Sequence, residues 1–296
     1  MQWCTGPGPS CHWHRPLTVK NILVCLEGSP GTAAAVRLAI DVAQRCEARL
    51  AGLAIVDEPD IRAGTPTSIG GSAFKHERDE ALVAEARKRA ADAIALFERR
   101  CREAGVAARS LEIVGRPMDA ILDEMSTRDL TIIGRDANFK FEIERDDTQT
   151  RDAILHRATT PVLLVPETAA PKLGGTVLVT YDGSGAAKRA LASFAASGLA
   201  VGREIHVVTI DDNGARAWDI ANRAVETLKA ADIPAKGHNL VSLLSNVEVI
   251  TRLAREIDAG LIVMGAFTRS RLRELFSGSV TRSLVETTDV PLYLQH

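Results

Sequence analysis

The apolar positions of this chain fall into short continuous runs, and the runs come twice. NILVCLEGS (21–29) is matched by TVLVTYDGS (176–184), each a run of apolar residues closed by an acid-Gly-Ser turn. DLTIIG (129–134) follows the first and GLIVMG (260–265) the second, and the Pro-led runs PVLLV (161–165) and PLYLQ (291–295) close the two halves. A strand with helices packed on both faces is apolar on both, so continuous runs indicate a parallel sheet. Helical patterns lie between them. Ala33–Ala43 and Ala186–Leu199 follow the first strand of each half, and Ala81–Glu103 is long, alanine-rich and laced with Arg, Lys and Glu. Met118–Met125 and Val247–Ile257 carry apolar residues three and four apart. Strand alternating with helix makes βαβ units and hence a doubly wound α/β sheet in each half.

Length agrees with two copies, because 296 residues suit two domains of roughly 130–150 residues. PETAAPKLGG (166–175) has the Pro and Gly of a linker. The expected division is therefore 17–168 and 172–296, behind an extension at 1–16 that reads as disordered. In that extension Cys4, Cys11, His12 and His14 do not have a spacing typical of zinc modules. Residues 58–75, EPDIRAGTPTSIGGSAFK, read as a surface loop peculiar to the first half, with a ligand lid as the alternative.

Charge and cysteine usage remove several classes. The net charge is −2, with both signs interspersed, so neither nucleic acid nor an anionic membrane surface is an expected partner. No apolar run approaches the ~18 residues of a membrane span. Cys25, Cys46 and Cys101 are scattered, which suits reduced buried thiols in a cytoplasmic protein.

Candidate chemistry lies after the strands, because open doubly wound sheets bind ligands beyond their carboxyl ends. In the second half the first strand ends in Tyr181-Asp182-Gly183-Ser184, and the later one runs into GAFTRSRLRELFSGSVTRSL. Gly265 would let a ligand approach the backbone, and Gly278-Ser279 would open a helix whose free N–H groups attract anions. Arg269, Arg271 and Arg273 lie between them. Against this stand ordinary roles: Ser184 and Ser279 as helix caps and the arginines as a solvated face.

This stretch resembles the universal stress protein family, whose ATP-binding members carry Gly-x2-Gly-x9-Gly-Ser/Thr. Gly265, Thr268, Gly278 and Ser279 have that spacing, with Val280-Thr281 following. The resemblance covers both halves and implies two tandem five-stranded parallel sheets of the adenine nucleotide alpha hydrolase-like fold. It implies an ATP site, with or without Mg2+, at Tyr181, Asp182, Ile210, Met264, Gly265, Thr268, Gly278, Ser279 and Val280. It also implies a stress-response regulator with a protein partner still to be identified. Family domains pair through their last edge strands, so the two halves are expected to form an intramolecular pseudo-dimer, with further homodimerisation left open. Thr268 departs from the pattern, since it stands at the second glycine. A Thr there costs about 1–2 kcal/mol if the position needs positive φ.

The first half departs further. With Thr150-Arg151 placed on Thr281-Arg282, Asp147 and Thr148 take the positions of Gly278 and Ser279. Ala137 replaces the second Gly, Glu142, Glu144 and Asp146 crowd the loop, and Glu27 stands where the second half has Asp182. Carboxylates in place of phosphates are repulsive, so one ATP per chain is expected. No Ser/His/Asp order or P-loop lysine is present. His76, His156, His206 and His238 are isolated along the chain. The expectation is a binding protein, with ATP hydrolysis at most slow and incidental. The competing reading is a nucleotide-free interaction module in which both sites have drifted.

Overall fold

A computed structural model describes residues 19–63, 72–137, 139, 148–170, 173–242, 244–266 and 279–296. In the first half the order is β1 (Asn21–Leu26), α1 (Pro30–Cys46), β2 (Arg49–Val56), α2 (Glu58–Ala63), α3 (Ser72–Glu103), β3 (Ala108–Val114), α4 (Pro117–Met125), β4 (Leu130–Gly134), α5 (Thr148–Arg157) and β5 (Val162–Val165). The second half runs β6 (Thr176–Thr180), α6 (Gly185–Ser197), β7 (Ile205–Ile210), α7 (Gly214–Lys229), β8 (Ala235–Leu240), α8 (Asn246–Glu256), β9 (Ala259–Gly265), α9 (Ser279–Thr287) and β10 (Leu292–Gln295). Each half is a parallel five-stranded sheet with helices on both faces, as the apolar runs indicate.

All ten strands belong to one sheet, in the order β3-β2-β1-β4-β5-β10-β9-β6-β7-β8. Every pairing is parallel except the central one, where β5 and β10 run antiparallel with Leu163 opposite Tyr293. The strand order is symmetric about this pair, as expected where a two-fold perpendicular to the sheet brings like edges together in opposite directions. Neither of these apolar edges is left open to associate with another chain. Further bonds cross the joint: Arg135 Nη1 donates to the Thr288 carbonyl at 2.6 Å, and Thr168 Oγ1 meets Asp289 Oδ1 at 3.0 Å. The segment between the halves is itself packed. Leu173 is buried, and its N–H donates to Asp41 Oδ2 on α1 at 2.9 Å.

Two apolar cores flank the sheet. One lies under α1, α3, α6 and α7 and includes Phe97, Phe194 and Tyr293. The other lies under α4, α5, α8 and α9. Local rules start the helices: Ser29 and Ser184 cap α1 and α6 by accepting from the N–H three residues on, at 3.3 and 3.2 Å.

The loop expected over 58–75 is largely helical where it is described. Asp57 accepts from the Asp60 N–H at 3.1 Å and starts α2, and Ile61 inserts into the first core. α3 begins at Ser72, nine residues before the alanine-rich stretch suggested. Residues 64–71 lie outside the described residues.

The joint makes a stability prediction. Tyr293 is fully buried, stacks edge-on to Phe194 with centroids 5.9 Å apart, and hydrogen-bonds Ser193 at 3.1 Å. Tyr293→Phe should cost about 0.5–1.5 kcal/mol and Tyr293→Ala about 3–5 kcal/mol in urea denaturation. Both halves should unfold in one transition, because this side chain belongs to a core that continues across them. Two separate transitions in the parent protein would contradict a shared core.

Candidate functional site

The carboxyl end of the second-half sheet is built by five segments. β6 delivers Tyr181 and Asp182, β7 delivers Ile210 and Asp211, and β9 delivers Met264 and Gly265. The turn after β8 delivers Ser242 and Leu244, and α9 delivers Val280 and Ser283. An open cleft of about 770 Å³ lies here, lined among others by Ile210, Asp211, Leu244, Glu248, Val280 and Ser283. That volume is in the range of small-molecule sites.

The residues expected to form the site are distributed unevenly around it. Ile210 and Val280 line the cleft. Met264 is buried beneath it, in the core that also holds Ile210 and against which Val280 packs. Tyr181 is placed differently. Its ring belongs to the opposite core, with α6 and α7, and burial, helped by neighbouring Asp182, raises its phenol pKa. What Tyr181 keeps near the site is backbone, whose carbonyl accepts from Thr209 Oγ1 at 2.7 Å. Thr268, Gly278 and the three arginines lie outside the described residues. Ser279 is the first described residue of α9, as Thr148 is of α5.

Gly265 has a structural duty that the sequence did not reveal. A Cβ there would stand 2.5 Å from the Ala187 nitrogen and 2.6 Å from the Ala186 carbonyl carbon. The strand end passes so close to the first turn of α6 that only hydrogen fits. Gly134 faces Gly31 of α1 in the same way but with more room, its nearest contact being 3.0 Å. Helix packing by itself thus demands a glycine at 265.

The first turns of the two halves differ in their hydrogen bonds. In the first half the Glu27 carboxylate accepts from the Ser29 hydroxyl, from Thr32 Oγ1 at 2.7 Å and from the Ser29 N–H at 3.3 Å. The start of α1 therefore already holds an anion of its own. In the second half Ala187 replaces Thr32, and Asp182 accepts from the Ser184 N–H at 2.9 Å. The pair GSPGT against GSGAA carries this difference in the sequence.

Acidic groups concentrate at the β7–α8 side of the cleft. Burial opposes the charge on Asp211, but Arg216, at 2.6 and 2.8 Å, and the Asn213 N–H outweigh it and hold its carboxyl below the ordinary value. Glu248 is held low by the Ser245 hydroxyl and N–H, with which it closes a capping box on α8. Both carboxylates stay charged at neutral pH, so this side repels phosphate and favours hydroxyl or amino donors.

Away from the cleft, two histidines that look isolated along the chain come together. His206 Nδ1 lies 2.7 Å from His238 Nε2, and His206 Nε2 lies 3.0 Å from Glu204. Among the described residues no group of three or more His, Cys, Asp or Glu could hold a metal, and no helix is long and apolar enough to cross a membrane. Cys25, Cys46 and Cys101 are free and buried, with thiol pKa values raised by desolvation, that of Cys101 to about 11.

The architecture is that of a tandem α/β protein with paired sheets and a ligand-sized cleft in its second half. The model of the universal stress protein family matches residues 18–166 and 175–295, and the chain belongs to that family. It is similar to the universal stress protein Slr1230 of Synechocystis, with 24% identity covering 93% of this chain and 99% of that protein. A universal stress protein structure from Archaeoglobus fulgidus shares the fold at 18% identity and a TM-score of 0.69, covering 94% of this chain and 98% of its own. Another structure, of a universal stress protein from Archaeoglobus fulgidus in complex with dAMP, covers 42% of this chain and 99% of its own, at 23% identity and a TM-score of 0.34.

The close packing of Gly265 leads to a prediction that does not depend on any ligand. Gly265→Ala should lower stability by about 1–3 kcal/mol, because the obstructing atoms are backbone. Gly134→Ala should cost less. Thermal melts of the two variants without nucleotide check the order, and equal melting temperatures would contradict it.

Proposed function

We propose that the second half binds one adenine nucleotide, ATP with or without Mg2+, and that the chain works as a nucleotide-responsive regulator of the stress response through a protein partner. Localisation in the cytoplasm and the absence of a catalytic role belong to the same proposal, with any ATP hydrolysis slow and incidental. The observation that carries it is the cleft between β7 and α9, which has apolar Ile210 and Val280 at its walls and fixed carboxylates at one side. A nucleoside suits that side: its base packs on the apolar walls, and its amino and hydroxyl groups donate to carboxylates. Repelled there, the phosphates would run toward the start of α9, where Ser279 and the preceding glycine stand in the sequence. The single stoichiometry rests on the sequence of the first half, which has Asp147 at the position of Gly278 and Glu142, Glu144 and Asp146 beside it.

The nucleotide-free interaction reading is favoured by one feature, an apolar rim. Trp218, Val241 and Leu244 are each at least half exposed, and Leu244 lines the cleft itself. Val241 stands against Gly214 at the start of α7, one turn from Trp218.

Calorimetry with MgATP separates these readings. One site per chain is expected, two equivalent sites would contradict the assignment, and no binding would favour the interaction module. Gly278→Asp copies Asp147, which the sequence places at the matching first-half position. Two charges a few ångströms apart repel by a few kcal/mol at an effective dielectric near 20, so ATP affinity should fall at least about a hundredfold. Unchanged affinity would leave Gly278-Ser279 with only a capping role.

A further inference from the structure

At the opposite end of the first-half sheet, three arginines converge on a cavity that has no part in the nucleotide cleft. It measures about 330 Å³ and is lined by Asn21, Arg49, Arg109, Arg128 and apolar or backbone groups of the neighbouring strand starts. Strand register makes this cluster. Asn21 pairs with Arg49, and Arg109 pairs with Ala51, so all three polar side chains rise from the face that α4 covers. α4 has nine residues and stops short of that end, where Arg128 enters from the turn leading into β4.

The charge balance around the cavity is one-sided. Arg128 is nearly buried, with a side-chain exposure of 9%; one of its amino groups pairs with Glu124 at 2.6 Å, while its Nε–H is buried without a partner. Nearby Asp129 is engaged by the Lys20 and Asn21 N–H groups, both at 2.8 Å. Among the described residues no carboxylate lines the cavity, and Arg49 and Arg109 are exposed there with no ion pair. Guanidinium groups are planar forks matched to the oxygens of phosphate, and here three of them line one cavity.

We infer that Arg49, Arg109 and Arg128 form a second anion site, which takes a small phosphorylated ligand at the amino ends of β1, β2 and β3. The cavity has room for a phosphate or diphosphate group and for part of the molecule that carries it. The site is independent of the ATP assignment, since it lies in the other half and at the other end of the strands.

The probe is inorganic pyrophosphate, titrated by calorimetry into the full chain carrying Gly278→Asp, so that the second-half loop does not compete. One site is expected in that background. Arg49→Gln and Arg109→Gln should each weaken it at least tenfold while leaving the ligand-free melting temperature unchanged. Arg109→Lys, which keeps charge and stem but loses the fork, should weaken it less than Arg109→Gln. Equal affinity in the Gln variants overturns the inference, as does binding that disappears with Gly278→Asp alone or no saturation below about 10 mM.

Discussion

The fold depends on one antiparallel contact in an otherwise parallel sheet. β5 and β10 are four residues each and wholly buried, and a strand that short gains little from its own hydrogen bonds. What fixes it is burial on both faces, with Leu163 and Tyr293 in one core and Leu164, Leu292 and Leu294 in the other. Because both cores continue across the joint, neither half ends at the linker. The linker confirms this, as Leu173 is buried and bound to α1 of the first half.

From that joint the two ends of each strand acquire different uses. Carboxyl ends gather turns, helix starts and the cleft, and amino ends gather the arginines of the first half. The halves share a plan but differ at the first helix start. One helix start is occupied by Glu27, held by Ser29 and Thr32. Its counterpart has Asp182 and Ala187 and lies at the end of the sheet that holds the large cleft.

The fold was readable because helices on both faces leave the inner strands with no polar positions, and because the runs recur. The edge strands β3 and β8 were not. Their outer positions are exposed, so ARSLEIV and AKGHNL carry no apolar run. α2 was hidden because EPDIRA lies among Gly, Ser and Thr, and its start depends on a side-chain cap and one buried Ile61. At the candidate site, the family resemblance pointed to Ile210 and Val280, and both line the cleft. It could not show that the Tyr181 ring turns into the opposite core, since side-chain direction at a strand end depends on which helix packs there. Nor could it show that Gly265 is demanded by α6, because a close helix approach and a close ligand approach both call for glycine. The arginine cluster was equally hidden, its members being 60 and 19 residues apart and joined only by strand register.

The central claim is that one nucleotide binds, and binds in the second half. Hydrogen–deuterium exchange with and without MgATP tests it most directly, since bound ligand slows exchange where it orders backbone. Slowing should concentrate in 210–212, 244–248 and 279–283, with the first-half counterparts at 56–58, 115–119 and 148–152 unchanged. Slowing in the first-half segments, or in neither set at saturating ATP, would contradict the account.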